Sequence, residues 1–168
     1  NLHVLQVEQE IPGDDITVLE HVLNCDVERL ELLKEQEDIP NIDTSQMEPE
    51  EKQEITDRLN EVIEKLDMID AVGAPAKAKH ILTGLGFKIS EFDTPTKKFS
   101  GGWRMRVAIA KVIFSEPEIL MLDEPTNHLD LVALIWLENY VKQLDITVLI
   151  VSHARDFLNQ VVDEIIDF

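Results

Sequence analysis

Ile119-Leu120-Met121-Leu122-Asp123-Glu124 is an apolar run that ends in two adjacent acids. A short run of this kind is typical of a buried strand. Ligands of open α/β folds bind at the carboxyl ends of the strands, where this run would present its two carboxylates. A second run, Thr147–Val151, ends in Ser152-His153 and would bring a polar pair to the same edge. Because apolar residues at helical spacing surround both runs, residues 100–168 predict an α/β layer with a mostly parallel sheet.

The rest of the chain predicts one short strand followed by helices. Residues 1–10 alternate apolar and polar side chains in the manner of a strand. Thr17 and Glu20 have the spacing of a capping box, which marks the start of a helix. Four more segments complete the prediction: helices over residues 26–37 and 74–85, a loop or hairpin tip over residues 38–49, and a last strand over residues 164–168.

Residues 50–70 carry the clearest helical pattern. Their apolar residues form one stripe, which we interpret as a packing face against another helix or a partner. Glu54 with Arg58, and Glu61 with Lys65, have the spacing of favourable ion pairs on a helix. The stripe consists of Ile55, Leu59, Val62, Ile63, Leu66 and Ile69.

The chain is strongly acidic, with 34 Asp and Glu against 15 Lys and Arg and a net charge of −19. This charge repels phosphate backbones, so we expect neither non-specific nucleic-acid binding nor sequence-specific DNA recognition. Most of the excess lies in residues 1–70, which hold 21 acids and 5 bases. The single cysteine, Cys25, permits no internal disulfide and fits a reducing, cytoplasmic compartment. No apolar run approaches the roughly 20 residues of a membrane span, so we expect no membrane segment.

A glycine pair opens the helix that precedes the first apolar run. In Phe99-Ser100-Gly101-Gly102-Trp103 the glycines let a ligand approach the backbone, and the helix start offers free N–H groups and the positive end of the dipole. These features suit a phosphate, although a plain helix cap after a loop has the same pattern. The neighbouring bases Lys97, Lys98, Arg104 and Arg106 would either favour a phosphate or form a solvated face.

The order of these elements resembles the C-terminal part of an ATP-binding-cassette (ABC) ATPase, which is a P-loop NTPase. The shared elements are Ser-Gly-Gly, an apolar strand, Asp-Glu-Pro-Thr-Asn-His-Leu-Asp, a second apolar strand and Ser-His. The resemblance implies ATP and Mg²⁺ as ligands and a second cassette as partner. It assigns phosphate contacts to Ser100, Gly101 and Gly102, a Mg²⁺ contact to Asp123, catalysis to Glu124 and His153, and communication across the dimer to Asn127 and Asp130. Gln9, in Val7-Glu8-Gln9-Glu10, matches the glutamine that contacts Mg²⁺ and the catalytic water.

Finer details resemble the first cassette of eukaryotic ABC-F proteins of the general-control, ribosome-associated type. They are Trp103-Arg104-Met105-Arg106, Thr126-Asn127-His128-Leu129-Asp130-Leu131 and His80-Ile81-Leu82-Thr83-Gly84-Leu85-Gly86-Phe87. This resemblance implies a soluble protein with two cassettes that acts in translation or its regulation. Its partner would be the ribosome or a ribosome-associated regulatory protein.

The sequence departs from the family at the phosphate-binding loop, because no Gly-x-x-x-x-Gly-Lys run occurs in the 168 residues. In the family this loop lies before the position of Gln9, so it would precede Asn1, and we interpret the chain as a piece of a longer protein. Without the loop we expect the isolated chain to bind ATP poorly. Two smaller departures are Ala154, where the wider family more often has Asp, and Phe99 in place of Leu.

The resemblance predicts a fragment of an ABC nucleotide-binding domain with three segments. Residues 1–11 would end one part of the catalytic core and carry Gln9. Residues 12–99 would form a helical subdomain with an acidic arm-like insertion at about residues 24–70. Residues 100–168 would hold the family's signature motif, which Ser100-Gly101-Gly102 matches, and the α/β core.

Two other functions stay open at this point. The chain could belong to the nucleotide-binding subunit of a membrane transporter, although Trp103 and the acidic insertion disfavour that class. It could also be a truncated, non-catalytic interaction module that binds through the apolar stripe of residues 50–69, which the missing phosphate loop favours.

Overall fold

Three parallel strands form the sheet in the computed structural model, which describes residues 4–6 and 12–166. Strands β1 (Val4–Gln6), β2 (Ile119–Asp123) and β3 (Thr147–Val151) are ordered β1-β2-β3, and β2 lies between the other two. In the register, Asp123 pairs with Val151, so β2 and β3 end side by side. The predicted parallel α/β layer is confirmed, and both apolar runs end at one edge of the sheet.

Helices of the C-terminal half pack around this sheet. They are α5 (Gly101–Phe114), α6 (Leu131–Val141) and α7 (Arg155–Val161). Leu120 and Leu122 point from β2 into the main core, where they are almost fully buried. Val107 and Ile109 of α5 and Leu137 of α6 are buried in the same core. The central strand is therefore packed against α5, which precedes it in the sequence, and α6, which follows it.

Two helices from the first half complete the main core. They are α1 (Val18–Leu23) and α4 (Ala74–Gly84). Helix α1 begins at the predicted capping box, because the Thr17 hydroxyl accepts from the Glu20 N–H and the Glu20 carboxylate accepts from the Thr17 N–H. Short 3₁₀ turns lie at Ile39–Asn41, Ile89–Glu91 and Thr96–Lys98.

Helices α2 (Val27–Asp38) and α3 (Pro49–Met68) form an antiparallel hairpin, which we call the arm. Four of the six stripe residues pack against α2. Val62 and Leu66 are buried beside Leu32 and Ile39 in a core separate from the main one, and Ile55 and Leu59 are half-buried against it, whereas Ile63 and Ile69 are exposed. The stripe is thus a packing face between two helices of the same chain. An interaction module that binds through this stripe would have to open the hairpin.

Two local predictions were wrong. Arg58 pairs with Glu35 of α2, where Nη2 donates to Oε2 at 2.8 Å, and with Glu61 at 3.0 Å, instead of with Glu54. The arm brings Glu35 within reach, which spacing along α3 alone does not show. The last strand, predicted over residues 164–168, is absent from residues 164–166, which pair with none of the three strands, and residues 167–168 lie outside the described part of the chain. Ile165 and Ile166 are exposed, and no strand among the described residues pairs with them.

Candidate active site

Glu124, directly after β2, has a strained backbone. Its φ is +46°, in the left-handed region that non-glycine residues seldom adopt. Such a conformation costs on the order of 1–3 kcal/mol and persists where neighbouring groups fix it. Here the Glu124 N–H donates to the Val151 carbonyl of β3 at 2.8 Å, and the Glu124 carbonyl accepts from the Asn127 N–H at 3.3 Å. The strand pairing therefore holds Glu124 at the point where the chain turns away from the sheet.

The side chain of Glu124 joins the ends of the two strands. Its Oε1 accepts from the His153 N–H at 2.9 Å, and its Oε2 accepts from the Ser152 hydroxyl at 3.4 Å. The His153 ring lies close by, with Nε2 3.6 Å from Oε1, and its side chain is fully exposed. Two predicted site residues, Glu124 and His153, are thus brought together, and the carboxylate is oriented by groups from the neighbouring strand.

Asp123 is half-buried at the end of β2, beside Glu124. Carboxylate oxygens are the hard donors that Mg²⁺ prefers, and Mg²⁺ commonly binds one or two carboxylates together with water and substrate phosphates. The adjacent acids fit such an open site, while the described residues hold no cluster of three or more His, Cys, Asp or Glu that would enclose a metal. Gln9, the second predicted metal contact, lies outside the described residues.

Ser100 is the N-cap of α5, and its exposed side chain makes no capping hydrogen bond. The first N–H groups of the helix have no partner within the helix itself. A Cβ at Gly101 would meet only Arg104 Nη2 at 4.0 Å, whereas one at Gly102 would contact His128 at 3.3 Å. Packing thus explains the glycine at 102, while the backbone at 101 is open to an approaching group.

Residues 127–130 are fixed by Arg106, a buried arginine of α5. Its Nη1 donates to Asp130 Oδ2 at 3.0 Å and to the Leu85 carbonyl at 2.9 Å, and its Nε donates to the His128 carbonyl at 3.0 Å. The guanidinium also lies 4.3 Å from the centre of the Trp103 ring, a favourable cation–π distance. We call this set of contacts the Arg106 clamp, since it ties the loop after Glu124 to the helix that Ser100 begins.

Asp130 also caps α6, where its Oδ1 accepts from the Ala133 N–H at 3.0 Å. This backbone hydrogen bond and, after it, the one from Arg106 lower the pKa of Asp130 below its ordinary value. Asp130 is therefore an anion with a structural partner on each oxygen. Asn127 is also exposed, and its side chain is available to another molecule.

Three members of the predicted basic cluster are held by contacts within the chain. Lys97 pairs with Asp15, Arg104 donates to the Phe99 carbonyl at 2.8 Å, and Arg106 is 6% exposed. The Arg106 clamp was not predicted from the sequence. Two features could have indicated it: Arg106 follows Trp103 by three residues on a predicted helix, and Asp130 stands at the start of the next helix.

A second polar network went unpredicted. Asp14 Oδ1 accepts from the buried Thr96 hydroxyl at 2.9 Å and lies 2.9 Å from His21 Nε2. The hydrogen bond with His21 is the main cause of the lowered pKa of Asp14. Because Thr96 lies four residues before Ser100, this network fixes the segment that leads into α5.

Taken as one arrangement, the site is a parallel-sheet edge with paired acids, a Ser-His pair on the next strand, and a helix opened by glycines. A fold and site of this kind define an ABC nucleotide-binding cassette. The family model for the ABC transporter domain matches residues 6–127, and the chain belongs to that family.

The chain is similar over almost its whole length to two longer proteins. The chain is 46% identical to ABC transporter F family member 3 of Arabidopsis thaliana, over 99% of the chain and 25% of that protein. It is 39% identical to Protein GCN20 of Saccharomyces cerevisiae, over 99% of the chain and 24% of that protein. The chain thus spans about a quarter of the length of these relatives.

A solved structure shows the same fold. A dimeric ATP-binding cassette in a post-hydrolysis state, bound to ADP and Pi, superimposes with a TM-score of 0.56 at 21% identity, over 94% of this chain and 55% of that one. No helix among the described residues is both long and apolar enough to cross a membrane.

Proposed function

We propose that this chain is part of an ATP-binding and hydrolysing cassette, the first of two in a cytoplasmic F-subfamily protein that acts on the ribosome in translation or its regulation. The observation that carries the catalytic part is the Glu124 carboxylate, oriented by the His153 N–H and the Ser152 hydroxyl at the carboxyl edge of the sheet. A carboxylate fixed in this way can accept a proton from water and align the water for attack on a phosphate.

The other site residues have supporting roles in this hydrolysis step. His153, whose ring is exposed beside Glu124, donates a hydrogen bond to the γ-phosphate. Asp123, with Gln9, would hold Mg²⁺, whose positive charge would offset that of the phosphates. Ser100, Gly101 and Gly102 contact the γ-phosphate of ATP held by the second cassette, and Asn127 and Asp130 lie at the contact between the cassettes. The Arg106 clamp keeps these two groups of residues in a fixed relation.

Hydrolysis belongs to the full-length protein in this proposal. A phosphate-binding loop normally surrounds the β- and γ-phosphates with backbone N–H groups and a lysine. The 168 residues contain no such run, so the isolated chain is expected to be inactive. The segment division at residues 11 and 99 remains part of the proposal.

The acidic arm supports a protein surface as the direct partner on the ribosome. Residues 24–70 hold sixteen acids and five bases, and Arg58 is already paired with Glu35 and Glu61. Such a charge repels ribosomal RNA and favours a basic ribosomal protein or a ribosome-associated regulatory protein.

The test is Glu124→Gln in the full-length protein, with the second cassette inactivated by its own equivalent change. Glutamine keeps the acceptor oxygen for the His153 N–H but removes the base, so steady-state ATP hydrolysis should fall about 100-fold or more. Glu64→Gln, on the exposed face of α3, is the matched control and should leave hydrolysis unchanged. Unchanged hydrolysis in the Glu124→Gln protein would contradict the catalytic role.

Ribosome association is tested separately by co-sedimentation of the Glu124→Gln protein with ribosomes, with and without ATP. Because the variant should retain ATP, we expect association that requires ATP. Association with a membrane protein instead of ribosomes would support the transporter alternative and would leave the ATPase assignment intact.

A further inference from the structure

A cleft of about 720 Å³ lies at the base of the arm. It is bounded by the turn between α1 and α2, the end of α3, the start of α4 and the C-terminal end of α5. Site residues Ser100 and Glu124 do not line it. The cleft is therefore a separate feature of the surface, at the end of α5 opposite to the signature motif.

Three exposed apolar side chains lie in or beside the cleft, and we call them its apolar mouth. Val27 is 59% exposed and Met68 is 81% exposed, and both line the cleft. Val72, on the turn between the lining residues Asp70 and Ala74, is 95% exposed. Neighbouring exposed apolar side chains beside a concavity are typical of a binding surface. A partner's apolar side chains would be buried from water when they pack against these residues.

The charge around this apolar mouth is negative. Asp26, Glu28, Asp70 and Glu116 line the cleft together with one base, Lys77. Lys77 is not available to an anion, because its Nζ lies 2.9 Å from Glu116 Oε1 and donates to the Phe114 carbonyl at 3.1 Å. The surplus of carboxylates therefore repels phosphates and attracts Lys and Arg side chains.

We propose that this cleft binds a basic, amphipathic segment of a protein partner. The segment places apolar side chains on Val27 and Met68 and Lys or Arg side chains beside Glu28 and Asp70. Apolar burial supplies affinity, while the carboxylates set the preference for a basic partner and speed its association. Binding here leaves the nucleotide edge of the sheet free, so the cleft and the ATP site can be occupied at the same time.

The test uses the full-length protein and three synthetic probes of equal length. The first is an 18-residue helical peptide of Leu and Lys with its leucines on one face, the second replaces Lys with Glu, and the third keeps the lysines but replaces Leu with Gln. An oligouridylate is a fourth probe. We expect saturable binding of the Leu-Lys peptide alone, measured by fluorescence anisotropy at about 0.15 M salt, where long-range charge attraction is screened.

Two variants locate the binding site. Glu28→Lys combined with Met68→Lys should raise the dissociation constant about tenfold or more, equivalent to about 1.4 kcal/mol. Glu31→Lys combined with Ile63→Lys is the matched control, because both residues are exposed on the same two helices and neither lines the cleft. Circular dichroism melting confirms that both variants remain folded.

Three outcomes would overturn the proposal. Equal weakening by both double variants would show attraction to the acidic arm as a whole. Equal binding of the Lys-Gln peptide would show that the apolar mouth contributes nothing. Preferred binding of oligouridylate over the Leu-Lys peptide by the wild-type protein would make the partner a nucleic acid. Each of these results leaves the ATPase proposal untouched, because none concerns hydrolysis.

Discussion

Arg106 is a single residue on which two parts of the site depend. It contacts the Leu85 and His128 carbonyls and Asp130, and its side chain is 7% exposed. Arg106→Ala leaves both carbonyls without this donor, so we expect the free energy of unfolding to fall by about 2 kcal/mol or more. Faster hydrogen exchange at residues 127–133 should accompany this loss, together with slower ATP hydrolysis by the full-length protein.

Two variants give the controls for this prediction. Arg106→Lys keeps the charge but loses the planar fork, so its effect should lie between wild type and Arg106→Ala. Arg155→Ala, at an exposed arginine of α7, should change stability by less than about 0.5 kcal/mol. Unchanged exchange at residues 127–133 in Arg106→Ala would show that the clamp does not position this loop.

Acid offers an independent measurement of the same clamp. The pKa of Asp130 is lowered in the folded chain, so its contribution to stability is complete above its unfolded pKa of about 3.9 and is lost as the pH falls through the folded value. Asp130→Asn can still cap α6 but cannot pair with the Arg106 charge. The difference in unfolding free energy between the two proteins should therefore be constant near neutral pH and shrink below about pH 4. A difference that persists in acid would assign the effect to packing.

The arm is an element with its own small core, so damage to it should stay local. Leu66 is 7% exposed between α2 and α3, whereas Ile63 on the same helix is 45% exposed. Leu66→Ala should destabilise the arm by about 2–5 kcal/mol, and Ile63→Ala much less. Hydrogen exchange should speed up across α2 and α3 and stay unchanged in α5. Equal loss of protection in α5 would show that the two cores unfold together.

Local patterns predicted most elements of this chain but not the contacts between them. The strand ending in Asp123, the capping box of Thr17 and the stripe of α3 all follow from spacing along the sequence. The partner of Arg58 and the burial of Arg106 depend on which helices the fold brings together, so spacing could not reveal them. The site was predicted as a shared sheet edge, yet the left-handed turn at Glu124 has no signal in the residue type.

In the whole molecule, an exposed apolar face of the sheet favours association between copies of the chain, and a large negative net charge disfavours it. Leu149 is 50% exposed and Val151 57% exposed on one face of β3, while Val148 and Ile150 pack against the main core on the other. Exposed apolar strands favour association, whereas the net charge of −19 keeps copies of the isolated chain apart. Salt screens the repulsion but not apolar contact, so association should increase as salt rises from about 0.01 M to about 0.5 M.

Sedimentation velocity at these salt concentrations measures the extent to which the isolated chain associates. Leu149→Thr combined with Val151→Thr places two β-branched residues of high strand propensity in the exposed strand while removing apolar area, so this protein should remain monomeric at high salt. Ile165→Thr combined with Ile166→Thr removes similar area from residues that are 65% and 73% exposed but belong to no strand, and association should persist. If the second pair abolishes association and the first does not, the contact surface is the C-terminal segment and not the sheet. If neither pair changes it, the association involves another apolar surface, such as the cleft at the base of the arm.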